Sequence, residues 1–227
     1  MVILSMAHSE IVQGASYYIN EVKESKKVVK RVEQLCNEMK KGSIITYEET
    51  KAKTQKDNLK NIVNFHNSKS KDLNISIHFN SATFNGKNHT DSEVGIEVYY
   101  CSEKGKKYAE KYLDKIVSVS GLKSRGIKLN KKLTFLNDTI GASILIELCF
   151  VNSKKDVEIY NKKFEDICIG IAELITGTSY NKKNDVEKGY YQVVTQSFSI
   201  KENAIKYQNE LKKKGISSFL QYKEVSK

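Results

Sequence analysis

The sequence predicts an α/β domain, a mainly parallel twisted sheet with helices on both faces, followed by a small β-α-β unit at the C-terminal end. Three observations carry that prediction. Apolar runs of strand length alternate with longer segments of helical periodicity along the first 175 residues or so. One of the runs, SILIELCF (143–150), is almost continuously apolar, as in a strand buried on both faces. Hydrophobic residues make up 39% and charged residues 29% of the 227, so the chain can build a packed core and does not read as disordered.

The elements follow in order. Val2 to Met6 reads as a buried strand, and Ile19 to Met39 as a helix whose apolar stripe runs through Val22, Val28, Val29, Val32, Leu35 and Met39. Ser43 to Tyr47 is the second strand, Gln55 to His66 the second helix, and Leu73 to Ile77 the third strand. The polar Asn/Gly/Thr stretch from Ser81 to Ser92 is a loop. Gly95 to Cys101 alternates as a strand does, and Gly105 to Ser118 is helical. Lys132 to Leu136 is a short strand, Ser143 to Phe150 the central one, and Lys154 to Ile175 the closing helix. The pattern stops near Thr176, so residues 1–176 form the main domain and the polar segment 177–187 a linker. Residues 188–227 form the β-α-β unit, with strands over Tyr190 to Ile200 and Ser217 to Tyr222 around a helix from Lys201 to Lys214.

Charge and cysteine usage limit the function. Thirty-eight basic against 27 acidic residues give a net +11, which points to an anionic partner. Aromatic residues are not interleaved with Arg or Lys as in RNA-binding motifs, which argues against nucleic acid. No apolar run reaches the 18 residues of a membrane span, so membrane insertion is not expected. The opening MVILSMAHSE has no basic segment ahead of an apolar one, and a secretory signal is not expected either. Four scattered cysteines, without a CxxC pair, read as free thiols made in a reducing compartment.

In open parallel sheets ligands bind at the carboxyl ends of the strands. Two of the four histidines, His8 and His78, fall at such ends, and Glu147 lies inside the apolar ILIEL run, where an anion is costly to bury. Two imidazoles and a carboxylate form a common ligand set for catalytic zinc. His8 and His78 supply the nitrogens; Glu21, at the start of the first long helix, is the third candidate, with Glu24 one turn further as its competitor. Glu147 then fits the carboxylate that takes a proton from water. Each residue also has a plain structural role open to it, and only their joint placement points to a metal. His66 and His89 are expected at the surface.

Six segments share one resemblance: SMAHSE (5–10), YINEVKESKKV (18–28), ISIHFN (75–80), GIEVYY (95–100), SRGIK (124–128) and ILIELCFVN (144–152). Together they resemble the zinc-dependent N-acetylmuramoyl-L-alanine amidases of the type 3 family, clostridial phage endolysins especially. The resemblance spans roughly residues 1 to 175 and implies zinc on His8, Glu21 and His78, with Glu147 catalytic. It departs from the family at Ala7, where a glycine usually precedes the histidine. The implied substrate is the peptidoglycan of a Gram-positive, clostridial-type wall, cut at the amide between N-acetylmuramic acid and L-alanine. The enzyme is then expected to be made in the cytoplasm and to act on the wall after release. Residues 190–222 resemble one β-α-β unit of a SPOR-type peptidoglycan-binding domain, which implies wall binding and a homodimer as one way to cover the open sheet edge. A wall-binding protein that keeps the fold without catalysis is the other reading. It would not need competent side chains at all four positions.

Overall fold

The computed structural model describes residues 1–180, 197–216, 218 and 220. The chain divides into two compact units, Met1–Asn181 and Lys182–Lys227. In the first, β1 (Val2–Met6), α1 (Glu21–Met39), β2 (Ile44–Tyr47), α2 (Gln55–Asn67) and β3 (Leu73–Asn80) are followed by β4 (Ile96–Tyr100) and α3 (Glu103–Ser120). Then come β5 (Ser124–Leu129), α4 (Thr134–Asp138), β6 (Ala142–Phe150) and α5 (Lys154–Thr176). The strands form one six-stranded sheet in the order β2-β1-β3-β6-β4-β5. β2, β1, β3 and β6 run parallel; β4 is antiparallel to β6, and β5 is parallel to β4.

Helices cover both faces, unequally. α1, α3 and α5 pack on one another over the large core of Leu4, Ile75, Ile77, Val98, Ile146 and Leu148. On the other face a smaller cluster of Ile62, Phe135, Leu136 and Leu145 joins α2 and α4 to the sheet. β6 is buried along its whole length apart from Glu147, as expected of a central strand covered on both sides.

Two expectations fail. Lys132 to Leu136 is not a strand: Thr134–Asp138 forms the short helix α4, and the strand lies earlier, at Ser124–Leu129. β5 pairs with β4 alone and none of its residues is fully buried, so an edge strand rich in polar residues left no apolar run to read. The Leu133-Thr134-Phe135 alternation belongs to a helical turn that buries Phe135 and Leu136 side by side. His66 is not at the surface but fully buried. Its Nδ1–H donates to Asn74 Oδ1 at 2.9 Å, and Asn74 Nδ2 donates to the Ala142 carbonyl and to Ser143 Oγ. Asn58, Ile62 and His66 form a buried stripe at four-residue spacing along α2.

In the second unit α6 (Lys201–Lys213) matches the expected helix. Most of the strand expected at Tyr190 to Ile200 lies outside the described residues, and Ser197–Ile200, which are described, are not in a strand. The strand at Ser217 to Tyr222 also lies mostly outside them. Among the described residues no helix is long and apolar enough to cross a membrane.

Candidate metal centre

The sheet brings together residues far apart in sequence. β1 ends at Met6, and the turn beyond it presents His8. Asn20 caps α1, its side chain accepting from the Lys23 N–H, and this sets Glu21 as the first helical residue. His78 lies near the end of β3, and across the ladder its register partner is Glu147 of β6.

Glu21 is the hub. Its Oε1 faces His78 Nδ1 at 3.0 Å and accepts the Phe79 N–H at 3.2 Å; its Oε2 accepts the Ala15 N–H at 2.8 Å and faces His8 Nε2 at 3.5 Å. One ligand atom from each of His8, Glu21 and His78 lies within 4.8 Å of the others. Glu21 is 5% exposed and both histidines 15%, so the group is shielded yet reachable. Burial alone would push the Glu21 carboxyl up, but the hydrogen bonds from His78 and His8 outweigh it and hold it well below the usual carboxylate range. Burial likewise lowers His8, and its contacts with Glu21 and Gln55 reverse that to a net rise. A neutral imidazole carries one N–H; with that hydrogen on the nitrogen away from Glu21, the facing lone pair is free to share a cation with the carboxylate. Two nitrogens and an oxygen converging in this way suit a divalent ion such as zinc.

Glu24, the competing candidate, lies elsewhere. Its Oε2 accepts from Tyr160 Oη at 3.0 Å and its Oε1 from Lys27 Nζ.

Glu147 is half-buried, and its Oε2 is buried without a hydrogen-bond partner. Burial raises it well above the ordinary value, and the charges of Glu21 and Glu97 add to the rise. It lines an open cleft together with His8, Glu21 and His78; Gln55, Asn80, Lys132 and Phe135 line it too. Gln55, the first residue of α2, sits with Oε1 3.3 Å from His8 Nδ1. An Nδ1–H there leaves Nε2 free to face Glu21.

Sequence reasoning missed three further residues. Gln55 gave no signal in one sequence. Gly14 sits so close above the site that a Cβ there would lie 2.2 Å from Glu21 Oε2 and 2.6 Å from His8 Cδ2. Glu97, on β4 beside Glu147 in the ladder, is buried and takes hydrogen bonds from Asn80 Nδ2, Tyr99 Oη, Arg125 Nε and Lys128 Nζ. Burial raises Glu97, and the bonds from Lys128, Arg125 and Tyr99 overcome that and lower it. Its position in an alternating strand (GIEVYY) was the available clue. His89 is half-buried, with its ring stacked on Tyr17.

Comparison with known proteins shows the family and the fold. Residues 2–177 match the family profile described as N-acetylmuramoyl-L-alanine amidase. A Clostridium perfringens protein described only as an uncharacterized 38.4 kDa protein is 34% identical over 163 residues, which are 70% of this chain and 46% of that one. A second C. perfringens protein, also uncharacterized, is 38% identical over 108 residues, 46% of this chain and 31% of its own length. The chain thus spans less than half the length of the curated relatives it matches. Among solved structures, the catalytic domain of the CD27L endolysin targeting Clostridia difficile superposes with a TM-score of 0.67 at 28% identity, over 79% of this chain and 98% of that one. An N-acetylmuramoyl-L-alanine amidase from Clostridium difficile 630 shares the fold, with a TM-score of 0.63 at 23% identity over 76% and 92% of the two chains.

Proposed function

This chain belongs to the N-acetylmuramoyl-L-alanine amidase family, and we propose from that premise that it hydrolyses the peptidoglycan amide between N-acetylmuramic acid and L-alanine. His8, Glu21 and His78 hold a zinc ion, and Glu147 is the catalytic carboxylate. One observation carries the reading. The three converging ligand atoms lie beside a carboxylate whose buried Oε2 has no partner, on the residue that His78 faces in the neighbouring strand.

Zinc supplies Lewis acidity at that point and brings the pKa of water from 15.7 down to about 7. The chain's own residues do the rest. Ala15 and Phe79 fix Glu21 through backbone N–H groups, so the carboxylate is oriented before any ligand arrives. The Glu147 carboxylate accepts the proton of the attacking water and delivers it to the leaving amine nitrogen, which departs as the free α-amine of the stem peptide. To act as a base Glu147 must ionise next to Glu97, and Arg125 and Lys128 offset the charge of Glu97. Leu133 and Phe135 give the cleft an apolar wall.

The substrate is a Gram-positive wall, a reading supported by the clostridial relatives. The basic segment 188–227, with eight lysines against three glutamates, serves as a wall-binding unit joined through residues 177–187. The enzyme acts on the wall after release from the cell that makes it.

The test is release of α-amino groups, and separately of reducing sugars, from purified Gram-positive peptidoglycan, before and after chelation and zinc restoration. Amine release that is lost on chelation and returns with zinc is expected. Reducing sugar without amine would mean a glycosidase and would overturn the reading.

A further inference from the structure

We infer that Arg125, with Lys128 beside it, forms a subsite for a free carboxylate on the peptide side of the substrate, two or three residues beyond the scissile amide. The inference rests on the amidase reading.

The cluster is built around Glu97, which is 1% exposed. A buried carboxylate needs a counter-charge, and Glu97 has two cations as well as an amide and a phenol. The sum of one anion and two cations is +1, so the pairing leaves one positive charge over. That charge is not hidden: the Arg125 and Lys128 side chains are 35% and 36% exposed.

Arg125 is held on two sides. Its Nε donates to Glu97 Oε2 at 2.7 Å, and its guanidinium carbon lies 5.0 Å from the centre of the Phe150 ring. Among the described residues Nη1 and Nη2 have no hydrogen-bond partner. A planar guanidinium fixed at Nε and stacked on an aromatic ring presents a ready pair of donors, which suits a carboxylate.

The cluster is continuous with the cleft. Asn80, a cleft residue, donates to Glu97 Oε1, and Glu97 is the register partner of Glu147. From Glu147 across β4 to β5 is two strand spacings, roughly 10 Å. An extended peptide covers about 3.3–3.6 Å per residue, so the group that reaches Arg125 belongs to the second or third residue from the cut. Substrate chemistry decides which side of the cut lies here. The lactyl carboxyl of N-acetylmuramic acid is consumed in the scissile amide, so the unsubstituted glycan has no free carboxylate, and the stem peptide has.

The experiment compares muramoyl tripeptides in two pairs, one differing only in whether the α-carboxyl of the second residue is free or a carboxamide, the other differing in the same way at the third. Wild-type zinc-loaded protein should favour the free acid of one pair in kcat/KM by roughly 10- to 100-fold, the range of a hydrogen-bonded ion pair. In Arg125→Gln the preference should fall below about threefold. Because the readout is a ratio within one protein, loss of total activity does not imitate it. Arg125→Lys, which keeps a cation against Glu97 and loses the paired donors, should lose most of the preference as well. A wild-type ratio near one in both pairs overturns the subsite without any variant, and so does a preference that survives in Arg125→Gln. Hydrolysis of none of the compounds by wild type would instead count against the amidase reading.

Discussion

Gly14→Ala tests the metal centre at its tightest point. A Cβ at this position would stand 2.2 Å from Glu21 Oε2, 2.8 Å from its Cδ and 2.6 Å from His8 Cδ2. Ordinary van der Waals contact begins at about 3.4 Å, so the carboxylate or the loop must move by roughly 1 Å. Neither is free to do so cheaply. Glu21 is tied by the Ala15 and Phe79 N–H groups, and Ala15 is the very next residue in the loop that would be displaced. Metal–ligand distances tolerate only about 0.2 Å, so a shift several times larger should remove Glu21 from any shared ligand sphere. Zinc affinity should fall by at least about 100-fold, the upper end of what indirect disturbance of a ligand costs. Competition against a chromophoric chelator measures this directly, and thermal melting of the metal-free protein checks the fold. Gly170→Ala is the control. Gly170 lies within α5, and its Cβ would come no closer than 3.4 Å to Lys115 and Val119 of α3, so this variant should bind zinc as wild type does and melt no lower. If Gly14→Ala binds zinc within threefold of wild type, the claim that His8 and Glu21 share one ion against this loop is wrong.

Four further outcomes are expected. Glu147→Gln should keep one zinc per chain and lose amine release by roughly 100-fold or more; loss of the metal would make Glu147 a ligand instead. His78→Ala should bind no zinc at micromolar concentration, and full activity in that variant would sink the ligand assignment. Gln55→Leu should weaken zinc by roughly 10- to 100-fold without changing the metal-free melting temperature, since it frees the His8 ring from its fixed orientation. His66 is lowered by burial from 6.5 to about 4. Only the unfolded chain therefore gains its proton between those values: stability is full above pH 6.5, falls as pH drops towards 4 and is flat below, a loss of about 3 kcal/mol. His66→Asn, which keeps a donor for Asn74, should flatten the urea-unfolding profile over that window relative to wild type; parallel profiles would refute this.

How much of this was legible depended on whether a residue declared itself locally. The central strands did, because burial on both faces forces continuous apolar runs, and Glu147 was visible as the charged interruption in one of them. His8 and His78 stood out by their places at strand ends, and the fold brings them together at Glu21. β5 was not, because an edge strand answers to only one neighbour and its composition is set by solvent. His66 was misread although it continues the buried stripe of Asn58 and Ile62, because a polar residue breaks an apolar stripe in sequence while in space Asn74 takes the hydrogen bond of its Nδ1. Gly14, Gln55 and Glu97 needed the tertiary structure. What matters for Gly14 is the empty volume where a side chain would be, and for Gln55 and Glu97 it is a neighbour 47 and 28 residues away respectively.

The sheet topology explains why the chemistry gathers where it does. β1, β3 and β6 run parallel, so His8 and His78, at or just past the ends of β1 and β3, reach the same edge as Glu147. β4 then enters antiparallel to β6 and places Glu97 directly opposite Glu147. Two carboxylates side by side in a low-dielectric sheet repel, and each raises the other's cost of ionisation. The two are treated differently. Glu97 receives both cations and is held ionised, while Glu147 receives no partner on Oε2 and is pushed the other way. Environments that separate paired carboxylates in this manner assign one to structure and leave the other able to gain and lose a proton. Moving Arg125 and Lys128 away from Glu97 would remove that division, because burial would then push Glu97 towards its protonated form as it does Glu147.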